Sequence, residues 1–366
     1  MNSATTWTLV AVAVRIATAL GLGSEDDERF TSFDLELRRR LLYTIGVLDT
    51  HAALDRGTVP ILPASAFRTP PLDINDCDLS PEGGVISSYS AEVTDMTHST
   101  MTYEAMLCQR KIYELSQCSG GGLSEWPERL QLVAGFGLYV DQVWDRIRSP
   151  STPLHILLRI SGRKIHSSLE LLLRRPPYRQ PHTTVPLSDN FDIMLAATDV
   201  LEHHLQVPLP ELQPWSWKNW IQWHALAVLL VELLVRPSEP LSDRAYAVAA
   251  SAFRCYATIV ADSQSGMLWK PISKLMRKVQ HMRQDPTSSA ILELSGTDCA
   301  WNGGTEVLAS SLFINDNLNG FTIAGFDDQL PSCFQAVDCG TTDSALDTQP
   351  WLEWDLFLQD VTCNGP

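Results

Sequence analysis

The stretch FDLELRRRLLYTIGVLDTHAALDRGTVPIL, residues 33–62, decides the fold class of this chain. Its apolar positions recur every three or four residues, at Leu37, Leu41, Ile45, Leu48 and Ala52. That period places them in one row along an amphipathic α-helix. Thr31 or Ser32 is expected to begin the helix, and Gly57 is expected to end it.

The helical period continues on both sides and predicts an all-α fold: a large irregular multi-helix domain with a mostly disordered acidic C-terminal tail. Further helices are expected at residues 5–22, 97–117, 125–148, 153–174, 187–206, 217–235, 241–262 and 268–283. Residues 58–83 contain five prolines and are expected to form an extended, ordered loop. No strand pair is predicted.

Charge divides the chain into two parts. Residues 284–366 hold 13 of the 43 acidic residues and none of the 27 basic ones. The helical period also fades beyond residue 283, where serine, glycine, asparagine and aspartate dominate. We therefore predict a helical domain at residues 1–283 and an acidic, partly disordered tail at residues 284–366.

Composition and missing motifs exclude several classes of function. The net charge is −16, and no long segment is basic enough to bind duplex DNA by itself. Signatures of nucleophilic and phosphate-binding catalysis are absent, so we expect no enzyme. The apolar segments at 5–22 and 221–235 are too short or too polar to span a membrane, so no membrane partner is expected.

The cysteines argue against a metal site in this chain. All eight are scattered, and none forms a CxxC pair of the kind that structural zinc sites use. The sequence therefore predicts no cofactor within these residues.

Two tryptophans are candidates for a ligand pocket. Trp220 and Trp223 would share one face of the helix predicted at 217–235. Packing in the core is the expected role of that face, and a pocket for a small-molecule effector is the alternative. An all-α small-molecule-binding protein or enzyme is accordingly the rival hypothesis for the whole chain.

Three segments resemble, in order, the middle homology region of fungal zinc-cluster (Zn2Cys6) transcription factors, also called the fungal-specific transcription factor domain. They are AVRIATALGLG at 13–23, LRRRLLYTIGVLDTHAALDRGTVPIL at 37–62 and FRTPPLDINDCDLSP at 67–81. The resemblance covers about residues 5–263. The positions that match the family motifs are expected to be structural, and they are Arg39, Arg40, Asp49, Arg56, Gly57, Pro71, Leu72, Asn75, Asp76 and Asp78.

The resemblance implies a nuclear transcription regulator of a metabolic or biosynthetic gene set. Residues 1–283 would be its regulatory domain, shortened at the N-terminus relative to the family. The family's six-cysteine cluster, which holds two zinc ions, has no counterpart in this sequence. DNA contact is therefore expected only through a missing domain or a DNA-binding partner. A small-molecule effector and a homodimer are left open.

The acidic tail independently favours transcription. Residues 350–360 place apolar side chains among acids, and the candidate activation motif is Trp351, Leu352, Trp354, Leu356 and Phe357. Acidic neighbours keep such a segment solvated, while the apolar side chains remain available to the groove of a transcriptional coactivator. A short helix that packs back on the domain is the alternative.

Overall fold

The computed structural model describes residues 3–24, 30–82, 84–85, 91–118, 123–147, 152–175, 185–186, 188–205, 210–218, 220–259 and 269–283. The α-helices in this part of the chain are α1 (Ser3–Ala19), α2 (Ser32–Arg56), α3 (Thr97–Cys118), α4 (Trp126–Asp145), α5 (Pro153–Arg174), α6 (Ile193–Leu205), α7 (Trp223–Val235), α8 (Ser242–Ile259) and α9 (Trp269–Arg283). Short 3-10 segments lie at Ala64–Ala66, Asp76–Asp78, Leu123–Glu125 and Pro210–Lys218. The predicted all-α fold class is confirmed.

The expectation that no strands pair is wrong at one place. Strands β1 (Leu79–Ser80) and β2 (Gly84–Val85) pair antiparallel, with Leu79 opposite Val85. Pro81 lies in the turn between them, where proline fixes the backbone. A ladder of two residues is shorter than the four to eight over which alternation can be recognised in a sequence.

Helix α2 has the predicted bounds because local signals close both ends. At the N-terminus the Asp34 amide donates to the Thr31 hydroxyl, and the Thr31 amide donates to the Asp34 carboxylate over 3.0 Å, which forms a capping box. At the C-terminus Gly57 adopts the left-handed conformation with φ of 63°. Its N–H donates to the carbonyls of Ala53 and Leu54, which satisfies groups that the helix leaves open.

The face that α2 buries differs from its predicted apolar row. Leu37, Leu41 and Leu48 are 44%, 50% and 39% exposed. The buried positions of this helix instead include polar residues, and they are Glu36, Leu42, Tyr43, Ile45, Gly46, Asp49, Thr50 and Ala53. Two carboxylates and a hydroxyl on the inner face interrupt the apolar row that sequence periodicity detects.

Helix α7 begins six residues later than predicted. Residues 210–218 form a 3-10 segment, and residues 220–222 precede the helix without regular structure. The Gln222 side chain donates to the Trp220 carbonyl over 2.9 Å and accepts from the Ser168 hydroxyl over 3.2 Å, which holds this connection outside the helix. Trp220 and Trp223 therefore do not share a helix face, and that prediction is wrong.

Helix α7 is the centre of the C-terminal core. Its residues 225–233 are all buried, and helices α6, α8 and α9 pack around it. A helix this rich in apolar residues must be enclosed in this way, and its buried acid Glu232 is paired with Arg175 and Arg236. Buried packing of segment 221–235 is thereby confirmed, and none of the described helices is long and apolar enough to cross a membrane.

Three further apolar clusters lie within the described residues. Helices α3, α4 and α5 enclose one, and α1 and α2 form another with the loop that follows them. The third lies between α2 and α3 and is formed by Tyr43, Met96, Tyr103 and Met106. Helix α2 packs on α3, and α5 packs on α3, α4 and α6. Helices α3 and α5 therefore lie between the helix pair α1–α2 and the C-terminal core. Polar side chains from distant segments meet around these two helices.

Candidate functional site

The most completely bonded buried pair joins α2 to α3. Arg110 Nη2 donates to Asp49 Oδ2 over 2.9 Å, and the two side chains are 7% and 3% exposed. The same carboxylate accepts from the backbone amides of Ile61 and Leu62, at 3.0 and 2.9 Å. Arg110 also donates to the carbonyl of Leu62 over 2.6 Å and to the hydroxyl of Thr50 over 2.8 Å. Asp49 therefore ties two helices and the start of the loop together.

A second carboxylate of α2 holds the next part of the loop. Glu36 is fully buried, and its Oε1 accepts from the Leu72 amide and from Arg40 Nε, both over 3.0 Å. Arg40 also donates to Asp76 Oδ1 over 2.8 Å. Burial opposes the charge of Arg40, but these acids outweigh it and raise its pKa.

The remaining positions that match the family motifs lie along the same loop. Pro71 is buried beside Leu72, and Asn75 Oδ1 accepts from the Asp95 amide over 3.2 Å. The carboxylate of Asp76 binds Arg40, and the Asp76 side chain is 73% exposed. Asp78 lies in the 3-10 turn, where its carboxylate accepts from the Cys77 thiol at 3.9 Å.

The two other arginines of the motif, Arg39 and Arg56, also belong to α2. Arg39 is a partly exposed residue of α2. Arg56 is the last residue of α2, directly before the left-handed Gly57, and its side chain lies outside the described residues.

Sequence reasoning missed the partners that complete this network. Asp73 Oδ1 accepts from the hydroxyls of Thr94 and Thr97, at 2.5 and 2.8 Å, and its Oδ2 accepts from Arg146 over 2.6 Å. Arg110, the partner of Asp49, was not selected either. Arg110 stands directly before Lys111 in α3, and Arg146 follows the last residue of α4, two positions before Arg148. No local pattern distinguished these bases from solvent-exposed ones, because a base is buried only where an acid from another segment meets it.

A second group of polar side chains, named here the basic cluster, consists of His98, Ser161, Lys164 and Lys218. His98 Nδ1 lies 3.4 Å from Lys218 Nζ, and its Nε2 lies 3.3 Å from Ser161 Oγ. His98, Ser161 and Lys164 are only 6%, 7% and 9% exposed, while Lys218 is partly exposed. The cluster joins α3, α5 and the 3-10 segment before α7.

Burial and mutual repulsion govern the charges of this cluster. Burial, together with the Lys218 and Lys164 ammonium groups, lowers the pKa of His98 to about 3. Burial likewise lowers the pKa of Lys164 to about 8 and lowers that of Lys218. His98 is therefore neutral at pH 7, and both ammonium groups disfavour a positive charge on its ring.

The two candidate pocket tryptophans have separate surroundings. Trp220 stacks on His51 of α2, with ring centroids 3.9 Å apart, and burial lowers the pKa of His51 to about 4. The Trp223 ring packs edge-to-face against Tyr256 and Trp269 inside the C-terminal core, with ring centroids 5.4 and 5.9 Å apart. Of the two, only Trp220 is close in sequence to the basic cluster.

The described residues do not fit a zinc cluster. Within them no three His, Cys, Asp or Glu side chains lie where they could hold a metal ion. Burial also raises the pKa of the Cys108 thiol to about 12, which opposes the thiolate that zinc requires. The candidate activation motif at 350–360, and the tail as a whole, lie outside the described residues.

Comparison with known proteins finds similarity to one class of protein. The chain is 27% identical over 282 residues to the C6 finger domain transcription factor nscR of Aspergillus fumigatus, which covers 74% of this chain and 36% of that protein. It is 26% identical over 329 residues to the C6 finger domain transcription factor adaR of Aspergillus niger, covering 82% and 41%. The nscR protein of Arthroderma otae is 28% identical over 275 residues, covering 71% and 38%.

The shared region is a part of those proteins. The chain spans 36–41% of the length of these three relatives. No family model matches the chain, and no solved structure matches it. The chain is thus similar to proteins named C6 finger domain transcription factors, and its own role is argued below.

Proposed function

We propose that this chain is the helical regulatory part of a fungal zinc-cluster transcription regulator that acts in the nucleus on a metabolic or biosynthetic gene set. The observation that carries the proposal is the similarity over 282 residues to a C6 finger domain transcription factor. The packing of the motif residues Asp49 and Arg40 supports it, because they hold the loop at 61–76 against α2 together with Glu36.

In this role the chain binds no DNA by itself. None of its eight cysteines has zinc-cluster spacing, and its net charge of −16 disfavours a phosphate backbone. A zinc cluster or a DNA-binding partner outside these 366 residues supplies that contact. The tail residues 350–360 bind a coactivator, since their apolar side chains are set among acids.

Regulation follows from a helical domain whose state a small molecule or a partner changes. A ligand shifts such an equilibrium only as far as its affinities for the two states differ. Catalysis has no part in this proposal. The rival hypothesis of a binding protein or enzyme predicts instead that activity or ligand turnover occurs without any effect on transcription.

Gene deletion in the organism that encodes the chain tests the proposal. We expect the transcripts of a limited, co-regulated gene set to change, and the unaltered gene to restore them. The variant Asp49→Ala should fail to restore them because it breaks the buried pair with Arg110. Asp76→Ala, on an exposed carboxylate of the same loop, is the matched control and should restore them. Unchanged transcripts after deletion would contradict the proposal.

A further inference from the structure

We propose that an exposed apolar surface of the helix pair α1–α2 joins two copies of this chain in a homodimer. This surface, named here the outer face, consists of seven aliphatic residues that are 39–59% exposed, and they are Leu9, Val12, Ile16, Leu20, Leu37, Leu41 and Leu48. The proposal concerns the association of the chain with itself and does not rest on the role in transcription.

The first argument is the composition of α1. Its inner row, formed by Val10, Val14 and Ala17, packs against α2 and the loop that follows α2. Its outer row, at residues 9, 12, 16 and 20, is equally apolar and remains 49–59% exposed. The only charged residue of α1 is Arg15, which is not part of either row. A helix that is apolar on two sides is stabilised when both sides are covered.

The second argument is that α1 and α2 run antiparallel. Arg38 of α2 donates to the carbonyls of Leu20 and Gly21 over 2.9 and 2.6 Å, so the end of α1 lies beside the first turns of α2. The inner row of α1 shares a cluster with Leu42 and Ile45, which lie further along α2. Helix α1 therefore runs back along α2.

This antiparallel arrangement places the exposed residues of the two helices on one side. In α1, Leu9 and Ile16 each stand one position before an inner residue. In α2, Leu41 stands one position before the inner residue Leu42. One position is about 100° of rotation, and in antiparallel helices equal offsets from the contact row point to the same side of the pair. The outer face is therefore continuous across both helices.

The third argument is the size of the outer face. Seven aliphatic residues with these exposures leave on the order of 600 Å² of apolar surface in water, which is the upper end for the largest patch on a typical monomer. Stable protein–protein interfaces begin at about 600 Å² on each partner. A twofold axis would place the outer face of one copy on that of the other, which buries both areas in a core of four helices.

The fourth argument is the chemistry of the outer face, which favours a second copy over the acidic tail. All seven residues are aliphatic, so two copies meet without repulsion between like charges in the contact. The tail at residues 284–366 carries 13 acids and no base, and the outer face supplies no basic side chain to offset them.

Sedimentation equilibrium of the full chain tests the proposal. At micromolar concentrations we expect twice the mass of one 40.7 kDa chain, with dissociation on dilution. The variants Ile16→Glu and Leu41→Glu should each raise the dissociation constant at least about a hundredfold, because a twofold interface then buries two carboxylates. Both should keep the circular dichroism of the unaltered chain, since these side chains are 53% and 50% exposed within one chain.

The matched control is Leu138→Glu on α4, which introduces the same charge at a leucine that is 64% exposed outside the outer face. It should dimerise like the unaltered chain. The mass of a single chain for the unaltered protein overturns the proposal, and this is the result expected if the tail covers the outer face. A dimer that persists in both folded Glu variants, or one that is lost equally in Leu138→Glu, also overturns it. The regulator proposal would survive these results, because it is tested by transcripts.

Discussion

Arg110 on α3 donates to Asp49 on α2 across 2.9 Å, and the two residues are 61 positions apart in the chain. Burial lowers the pKa of Arg110, although the carboxylate of Asp49 acts in the opposite direction. Each of these two buried charges is therefore stabilised only while its partner is present. It explains why α2 turns a polar row inward and leaves three leucines exposed.

Removing one partner of this pair should be severe. Asp49→Ala leaves a buried guanidinium and two backbone amides without their acceptor, and we expect the free energy of unfolding to fall by about 3–5 kcal/mol. Asp76→Ala removes a carboxylate that is 73% exposed, and it should cost less than about 1 kcal/mol. Urea denaturation of both variants measures the difference. Equal losses would mean that Asp49 is not the residue that holds the loop.

Removing both partners should cost less than the two single changes together. Arg110→Met combined with Asp49→Leu eliminates both buried charges and fills their volume. We expect a coupling energy of about 1–3 kcal/mol in the double-mutant cycle. Additive effects in the same denaturation experiment would show that the two side chains are not coupled.

Glycines inside helices should respond oppositely to alanine. A Cβ on Gly46 of α2 would lie 2.5 Å from Cζ of Phe67, whereas a Cβ on Gly135 of α4 meets nothing within 4 Å. Gly46→Ala should therefore destabilise by about 1–3 kcal/mol through overpacking. Gly135→Ala should stabilise by up to about 1 kcal/mol through helix propensity. Thermal unfolding followed by circular dichroism compares them, and a stabilised Gly46→Ala would place Phe67 elsewhere.

Acid should destabilise the protein partly through His98. Its pKa is lowered from 6.5 to about 3 in the folded chain, so between these values the unfolded chain binds more protons. The contribution of neutral His98 to the free energy of unfolding is therefore fully present above about pH 6.5. It falls as the pH drops, by about 1.4 kcal/mol per pH unit for one such histidine.

The variant His98→Gln should consequently lose about 1–2 kcal/mol less than the unaltered chain between pH 6.5 and pH 5. Urea denaturation in chloride solutions without phosphate measures this change. His281→Gln, on an exposed histidine of α9, is the control and should follow the unaltered chain. If His98→Gln keeps the full pH dependence, His98 is not buried as a neutral ring.

The buried ammonium group of Lys164 should lower the free energy of unfolding at neutral pH. Burial lowers its pKa from 10.5 to about 8, so folding opposes its charge, and stability should rise as the pH increases from about 8 to 10.5. Lys164→Met should raise the free energy of unfolding at pH 7 by about 1–3 kcal/mol. A destabilised Lys164→Met in urea denaturation would show that the ammonium is needed for folding.

The tail should activate transcription through its aromatic residues. With the full chain fused to an unrelated DNA-binding domain, we expect a reporter gene to be activated. Changing Trp351, Trp354 and Phe357 together to alanine should abolish this activity, because a coactivator groove binds the apolar side chains rather than the acids.

The matched control for this motif changes three other aromatic residues of the tail, Phe313, Phe326 and Phe334, to alanine. It should retain most of the reporter activity. A reporter that stays silent with the unaltered fusion would remove the activation motif, and equal losses in both triple variants would remove its specificity.

Local signals made much of the fold predictable. Helix α2 ends where Gly57 can adopt the left-handed conformation, and it begins at a capping threonine. Helix α7 is apolar at most of its positions, and its packing in the core was expected. The start of α7 was missed, because Trp220 and Gln222 are held by contacts with α2 and α5 that no local pattern encodes.

The sequence by itself determined that this protein is helical and where most helices begin and end, since the helical period and the caps depend on neighbouring residues. Only the tertiary structure decided which side of α2 is buried and which side chains of distant segments pair with its lysines, arginines and histidines. His98 contacts Ser161 and Lys218 across 63 and 120 positions, and Arg110 meets Asp49 across 61. Such pairs form when helices pack, because the burial of a charge depends on a partner that another segment supplies.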